Sequence, residues 1–121
     1  MYLKRLGYYK ELPYGNTTDP SILDHIDKEI ANKKEICKYL QSGHILAACG
    51  GIVNDVICPE KGIVRSPDSV TDGVWTWHAD LAYYVDKYDL LLDESFLEYI
   101  REKSWEIPND LDIDYDNIQV I

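Results

Sequence analysis

Residues 71–88 read TDGVWTWHADLAYYVDKY, and this stretch decides how the chain is expected to fold. The pair Asp72-Gly73 is a common turn signal, and the alternating residues 74–77 after it are typical of a short strand. From residue 79 the apolar residues change to helical spacing. This predicts a helix over residues 79–89 with an apolar face formed by Leu81, Tyr84, Val85 and Tyr88.

Further helices are predicted on both sides of this stretch. Asp93 is a good N-cap for a helix with an apolar face formed by Phe96, Leu97 and Ile100. Upstream, Asn32 and Glu35 have the spacing of a capping box, which begins a helix that Ser42-Gly43 ends. A shorter helix is expected after Asp19-Pro20, because proline is tolerated at the first helical position.

The remaining apolar runs are short and predict strands. Four such runs, bounded by glycine, proline or turn signals, cover residues 44–49, 52–58, 62–65 and 74–77. Their spacing favours an antiparallel sheet of three or four strands. Because about four helices flank this strand cluster and do not alternate with it, the expected fold class is α+β.

The length of 121 residues suits one domain with one core, so residues 1–121 are predicted to form a single domain. Residues 1–18 are rich in tyrosine and are expected to form an N-terminal arm, irregular or briefly extended, laid on that domain. Residues 106–121 are expected to be an acidic C-terminal extension.

Negative charge is concentrated in the second half of the chain. The net charge is −10, but residues 1–50 carry seven basic and six acidic side chains, whereas residues 51–121 carry five and sixteen. The last sixteen residues alone contribute −5, half of the total. Such a surface repels nucleic acid and anionic membranes and attracts a basic protein.

The cysteines and the apolar runs point to the cytoplasm. Cys37, Cys49 and Cys58 are odd in number and lack CxxC spacing, so reduced thiols are expected and a disulfide framework or zinc site is not. Cys49 beside Gly50-Gly51 is better explained as a core residue than as a nucleophile, because no nearby basic group favours a thiolate. No apolar run suggests a membrane span or a secretion signal.

No motif for catalysis is present. His25, His44 and His78 are far apart, and none has the spacing of a metal-binding motif. A small hydrolase or metal-dependent enzyme that uses His78 with Asp80 or Asp72 is kept as an alternative.

The C-terminal extension alternates acidic and apolar residues. A calcium loop is not supported, because Tyr115 and Ile121 stand where an EF-hand needs glycine and glutamate. An extended segment explains the alternation better, because it places the carboxylates on one side and the apolar residues Leu111, Ile113 and Tyr115 on the other.

The aromatic composition favours tyrosine and tryptophan, with ten Tyr and three Trp against one Phe. Tyr and Trp are enriched at interface hot spots because they combine apolar area with a polar group. Trp75 and Trp77 alternate on one predicted strand face, where at least one of them is expected to be core.

Residues 71–88 also resemble a segment of small bacterial proteins with the pattern TDG-x-W-x-W-P-x-DL-x-YYV-x-x-Y, followed by a Leu-Pro-x-x-Phe helix. As a group, those proteins resemble immunity proteins of contact-dependent growth inhibition and related polymorphic toxin systems. The resemblance covers about residues 35–108 and is specific only over 71–88. His78 replaces the proline of the pattern, Leu92-Asp93 replaces Leu-Pro, and the acidic extension after Pro108 is additional.

The resemblance implies a cytosolic inhibitor that is not an enzyme, needs no cofactor or metal, and binds one cognate toxin domain, often a basic nuclease. Aromatic anchors inside an acidic rim are expected to give affinity, and charge is expected to accelerate encounter. The residues predicted to bind the partner are Asp72, Trp75, Asp80, Tyr83, Tyr84, Asp86, Asp89, Asp110, Asp112, Asp114 and Asp116.

A homo-oligomeric structural domain, associating through its Tyr/Trp surface, is the other alternative. For the immunity function, the free chain is expected to be a monomer or a weak homodimer.

Overall fold

The core is built around β6 (Trp75–His78), the strand predicted inside the stretch 71–88. A computed structural model describes residues 1–48, 52–65 and 68–120. Trp77 is fully buried at the centre, and its indole Nε1 donates a hydrogen bond to the Leu40 carbonyl, 3.0 Å away. Phe96 packs edge-on against Trp77 with ring centroids 5.9 Å apart. Side chains from the strand and from the helices therefore fill this centre together.

The main sheet has five strands in the order β2-β5-β6-β1-β7. The strands are β1 (Tyr2–Arg5), β2 (His44–Ala47), β5 (Ser69–Thr71), β6 and β7 (Gln119–Val120). β2, β5 and β6 pair antiparallel, whereas β1 runs parallel to both β6 and β7. A separate antiparallel pair joins β3 (Val53–Asn54) to β4 (Ile63–Arg65).

Three α-helices complete the described fold: α1 (Lys33–Gln41), α2 (Leu81–Tyr88) and α3 (Glu94–Glu102). α1 packs against α2, and both contribute apolar side chains to the core. Two single 3-10 turns lie at Ile22–Asp24 and Pro59–Lys61. No helix in the described ranges has the length and apolar character needed to cross a membrane.

The α+β class is confirmed, whereas the predicted antiparallel sheet of three or four strands is wrong. The sheet is mixed because the segment expected as an N-terminal arm contributes β1, which lies between β6 and β7. Leu3 of β1 is fully buried, so this part of residues 1–18 belongs to the sheet. The predicted strands 52–58 and 62–65 form the separate β3–β4 pair and do not join the main sheet.

The prediction of four helices is also wrong, because the segment after Asp19-Pro20 forms only a 3-10 turn. Asp19 does not cap it, since its Oδ2 accepts hydrogen bonds from the Asn16 backbone N–H (2.7 Å) and the Arg5 guanidinium (3.0 Å). Ser21 is the cap instead.

The N-cap predicted for α3 is confirmed, whereas the one predicted for α1 is wrong. Asp93 caps α3 as expected, with Oδ1 2.8 Å from the Ser95 nitrogen. Asn32 precedes α1 in a left-handed conformation (φ 58°) and its side chain makes no cap hydrogen bond, so the predicted capping box does not form.

Candidate functional site

Asp72 is part of the turn between β5 and β6 and is not on the surface. Its Oδ1 accepts hydrogen bonds from the backbone N–H groups of Val74 (2.9 Å) and Trp75 (2.7 Å). Its Oδ2 accepts one from the Tyr39 hydroxyl at 2.5 Å. With 3% of its surface exposed, Asp72 fixes the turn onto α1. Burial and this carboxylate raise the pKa of Tyr39, so the phenol keeps its proton.

Asp80 lies fully buried at the start of α2. Its Oδ1 accepts a hydrogen bond from the Tyr14 hydroxyl at 2.6 Å, and the ring of Tyr14 stacks on His78 with centroids 3.6 Å apart. Burial, followed by the charge of Asp80, raises the pKa of Tyr14 above its usual range. The contact therefore ties the N-terminal segment to the beginning of α2.

Asp55, which the sequence analysis did not select, binds the loop after β3 to α2. Its Oδ1 accepts from the backbone N–H groups of Ile57 and Cys58, both at 2.8 Å. Its Oδ2 accepts from the hydroxyls of Tyr83 (2.7 Å) and Tyr88 (2.6 Å). An aspartate whose side chain accepts from the backbone N–H groups two and three residues later is typical of a turn. This signal was present at Asp55, but the segment 52–58 was predicted to be a strand.

The aromatic side chains predicted to be partner anchors are used inside the fold. Trp75 is 6% exposed and Tyr84 is fully buried. The Tyr84 hydroxyl accepts a hydrogen bond from the Val56 backbone N–H at 3.0 Å, and burial raises the pKa of Tyr84 to about 12. Tyr83 is half-buried, and its hydrogen bond to Asp55 raises its pKa to about 12.

Four of the residues predicted to bind the partner are therefore not on the surface, and this part of the prediction is wrong. The side chains that present almost no area to a partner are Asp72, Trp75, Asp80 and Tyr84. They are buried because the turn, β6 and the first turn of α2 together form the centre of the molecule. Their alternation and helical spacing are the pattern of a core.

Asp86 and Asp89 lie at the C-terminal end of α2, near the basic face of α1. Asp89 Oδ1 lies 2.7 Å from Lys33 Nζ, and Asp86 is exposed beside a groove of about 720 Å³ between the two helices. Lysines of α1 line the other side of this groove. Asp86 and Asp89 thus face basic groups of their own chain. Along the sequence they are separate from the C-terminal carboxylates.

The C-terminal carboxylates lie on a segment that crosses the domain and that we name the acidic ribbon, residues 109–118. Its exposed acidic side chains are Asp110, Asp112, Asp114 and Asp116. Leu111 and Ile113, between them, are half-buried, so the predicted alternation holds for residues 110–114. Tyr115 departs from it, with 60% of its surface exposed.

The acidic ribbon is held in place on both sides. The His44 ring nitrogen Nε2 lies 3.0 Å from the Pro108 carbonyl, just before the ribbon. The Tyr115 hydroxyl donates to the Ile45 carbonyl at 3.4 Å. After the ribbon, the Gln119 nitrogen donates to the Met1 carbonyl at 2.8 Å, where β7 pairs with β1. Hydrogen bonds before, within and after the ribbon therefore join the backbone that carries the carboxylates to the rest of the domain.

Two exposed apolar residues accompany these charges. Ile45, on edge strand β2, is 55% exposed, and its backbone carbonyl accepts the hydrogen bond from the Tyr115 hydroxyl. The acidic ribbon, Ile45 and Tyr115 form the candidate binding face. The carboxylates were predicted from the sequence, but Ile45 was not, because it lies some seventy positions from the ribbon and meets it only in the folded chain.

A metal centre finds no support among the residues that the structure describes: no group of three or more His, Cys, Asp or Glu side chains is placed to hold an ion. Cys49 and Gly50-Gly51 lie outside the described residues. Comparison of the chain with protein-family models, with curated proteins and with solved structures gives no significant match.

Proposed function

We propose that this chain is an immunity protein that binds and neutralises a basic toxin domain through the acidic ribbon, and that it acts by binding without catalysis. The observation that supports this most is the ribbon itself. Four exposed carboxylates lie on a backbone that is already tied down at Pro108, Tyr115 and Gln119. Because little chain ordering is left to occur on binding, less entropy is lost.

Charge and apolar area have separate roles in this proposal. The carboxylates attract a basic surface over several ångströms and raise the association rate, an effect that salt screens. Ile45 and Tyr115 supply apolar surface that is removed from water when the partner binds. Because this burial stabilises the complex, it slows dissociation. These two residues replace Trp75 and Tyr84 as the proposed anchors.

The resemblance of residues 71–88 to immunity proteins supports the same function. A basic nuclease domain is the proposed partner class, the bacterial cytoplasm the proposed compartment, and a monomer or weak homodimer the proposed free state. The net charge of −10 disfavours nucleic acid and anionic membranes as partners of this face.

Growth of bacteria that express a candidate toxin domain, taken from a reading frame next to this gene, tests the proposal. Co-expression of this chain is expected to restore growth. A variant with Asp110, Asp112, Asp114 and Asp116 all changed to Asn is expected to protect poorly, because it loses four of the ribbon's charges.

The matched control removes the same charge elsewhere, by changing the exposed residues Asp24 and Asp27 to Asn and Glu29 and Glu35 to Gln. This control is expected to protect as the unchanged chain does. Absence of protection by the unchanged chain against any toxin domain encoded beside it would contradict the proposed function.

A further inference from the structure

We propose that a pocket beside the acidic ribbon receives an arginine side chain of the basic partner; this inference rests on the proposed function. The pocket has a volume of about 380 Å³ and lies between the end of α3, the start of the ribbon and the β5–β6 turn. Val74, Ile107 and Leu111 form aliphatic walls. Walls of this kind suit the methylene stem of a long basic side chain.

A buried negative charge lines the same pocket. Asp72 is 3% exposed, and the groups that donate hydrogen bonds to its carboxylate are neutral: two backbone N–H groups and the Tyr39 hydroxyl. Within residues 1–48, 52–65 and 68–120, no cationic side chain forms an ion pair with it. A cation brought into the pocket gains from this carboxylate, because charge-assisted interactions are strong where water is scarce. Glu106, exposed on the rim, adds a second carboxylate.

The aromatic wall already receives a cation from the chain itself. Lys103 Nζ lies 5.6 Å from the centroid of the Tyr99 ring, and both residues line the pocket. An exposed lysine held only over a ring face is displaced at small cost. Lys103 therefore marks the cation position that a partner side chain takes over.

Arginine fits this pocket better than lysine does. Its planar guanidinium stacks on an aromatic face such as Tyr99 and gives up its hydration more readily than an ammonium. Arginine is also enriched at interface hot spots. Asp110 and Asp112 flank Leu111 on the ribbon, so basic groups around the inserted arginine meet further carboxylates.

The test uses NMR titration of the free chain with Nα-acetyl-arginine amide. Backbone amide signals of residues 73, 74, 103 and 111 are expected to shift in a saturable way. Nα-acetyl-citrulline amide, which has the same shape without the charge, is expected to bind at least tenfold more weakly. Nα-acetyl-lysine amide is expected to bind more weakly than the arginine amide. Equal binding of the citrulline or lysine probe, or no shift at these residues, overturns the inference.

Variants locate the binding. Asp72→Asn keeps the acceptor for both backbone N–H groups and is expected to weaken arginine amide binding about tenfold. Glu106→Gln, on the exposed rim, provides a second variant that leaves the buried turn untouched and is expected to weaken binding severalfold. Lys103→Met removes the internal competitor and is expected to strengthen binding. Glu98→Gln, an equal loss of charge on α3 outside the pocket, is the control and is expected to bind as the unchanged chain does.

The pocket and the proposed function fail in different experiments. A chain that protects cells but gives no specific shifts with the arginine amide overturns the pocket and leaves the immunity function supported. A chain that binds the arginine amide as described but gives no protection supports the pocket and overturns the immunity function.

Discussion

At the scale of residues, tyrosine hydroxyls donate hydrogen bonds to the buried carboxylates. Three aspartates that are at most 3% exposed each accept a hydrogen bond from at least one phenol. The pairs are Asp55 with Tyr83 and Tyr88, Asp72 with Tyr39, and Asp80 with Tyr14. A buried carboxylate needs donors, and a phenol supplies one while burying a ring. The excess of tyrosine over phenylalanine, which the sequence analysis assigned to an interface, is therefore explained in part by the interior.

Tyr39→Phe tests this pairing. Removal of the hydroxyl leaves Asp72 Oδ2 without its donor while the ring packing stays the same. We expect a loss of about 1–3 kcal/mol in the free energy of unfolding, measured by urea denaturation. Tyr115→Phe is the control, since that ring is 60% exposed, and a change below about 0.5 kcal/mol is expected. Equal stability of the two variants would show that the Tyr39 hydroxyl is dispensable.

The pH dependence of stability is expected to follow Asp55. Burial alone raises the pKa of this carboxyl, but hydrogen bonds from Tyr88, the Cys58 backbone and Tyr83 outweigh it and hold the pKa below its usual value. A lowered pKa contributes stability above the unfolded value, roughly 3.9, and this contribution is lost as pH falls through the folded value.

The comparison of the unchanged chain with Asp55→Asn measures this contribution. The variant is expected to be less stable by about 1–3 kcal/mol at neutral pH, because it loses charge-assisted hydrogen bonds. The difference is expected to shrink on acidification below the unfolded pKa, in urea titrations across a pH series. Asp116→Asn, exposed on the ribbon, is the control. A stability difference for Asp55→Asn that stays constant with pH contradicts the assignment.

At the scale of elements, the three α-helices were predictable, whereas the short helix expected after Asp19-Pro20 and much of the sheet were not. The apolar periodicity of α1, α2 and α3 extends over eight or nine residues, long enough for the pattern to be distinctive. β5 and β7 have only three and two residues, which is too short for an alternation of apolar and polar residues to be recognised in the sequence. β1 pairs with β6 across some seventy residues, and no local signal in the sequence specifies a parallel partner at that distance.

Leu3→Ala tests whether the N-terminal segment is part of the sheet. Leu3 is fully buried in β1, so truncation is expected to cost about 2–5 kcal/mol of unfolding free energy, measured by thermal or urea denaturation. Lys10→Ala, at an exposed position of the same segment, is the control with little expected effect. A cost for Leu3→Ala as small as that of the control would indicate an appended arm.

At the scale of the whole molecule, the recognisable stretch and the proposed binding face are different parts of the chain. The stretch 71–88 is mostly interior: Thr71, Asp72, Trp75, Thr76, Trp77 and Asp80 are all buried. Its pattern therefore specifies the fold. The acidic ribbon carries the exposed carboxylates that were predicted from charge, whereas Ile45 joins it only because β2 is an edge strand of the sheet.

The association rate constant of the chain with its proposed partner, a basic toxin domain, tests the central claim most directly when it is measured by stopped flow across a range of salt concentrations. The unchanged chain and the control with Asp24, Asp27, Glu29 and Glu35 neutralised are expected to associate about tenfold or more faster at low than at high salt. The variant with all four ribbon aspartates changed to Asn is expected to associate slowly, with little dependence on salt. An association rate that salt leaves unchanged, or that the ribbon variant shares with the unchanged chain, contradicts the claim that the acidic ribbon is the binding face.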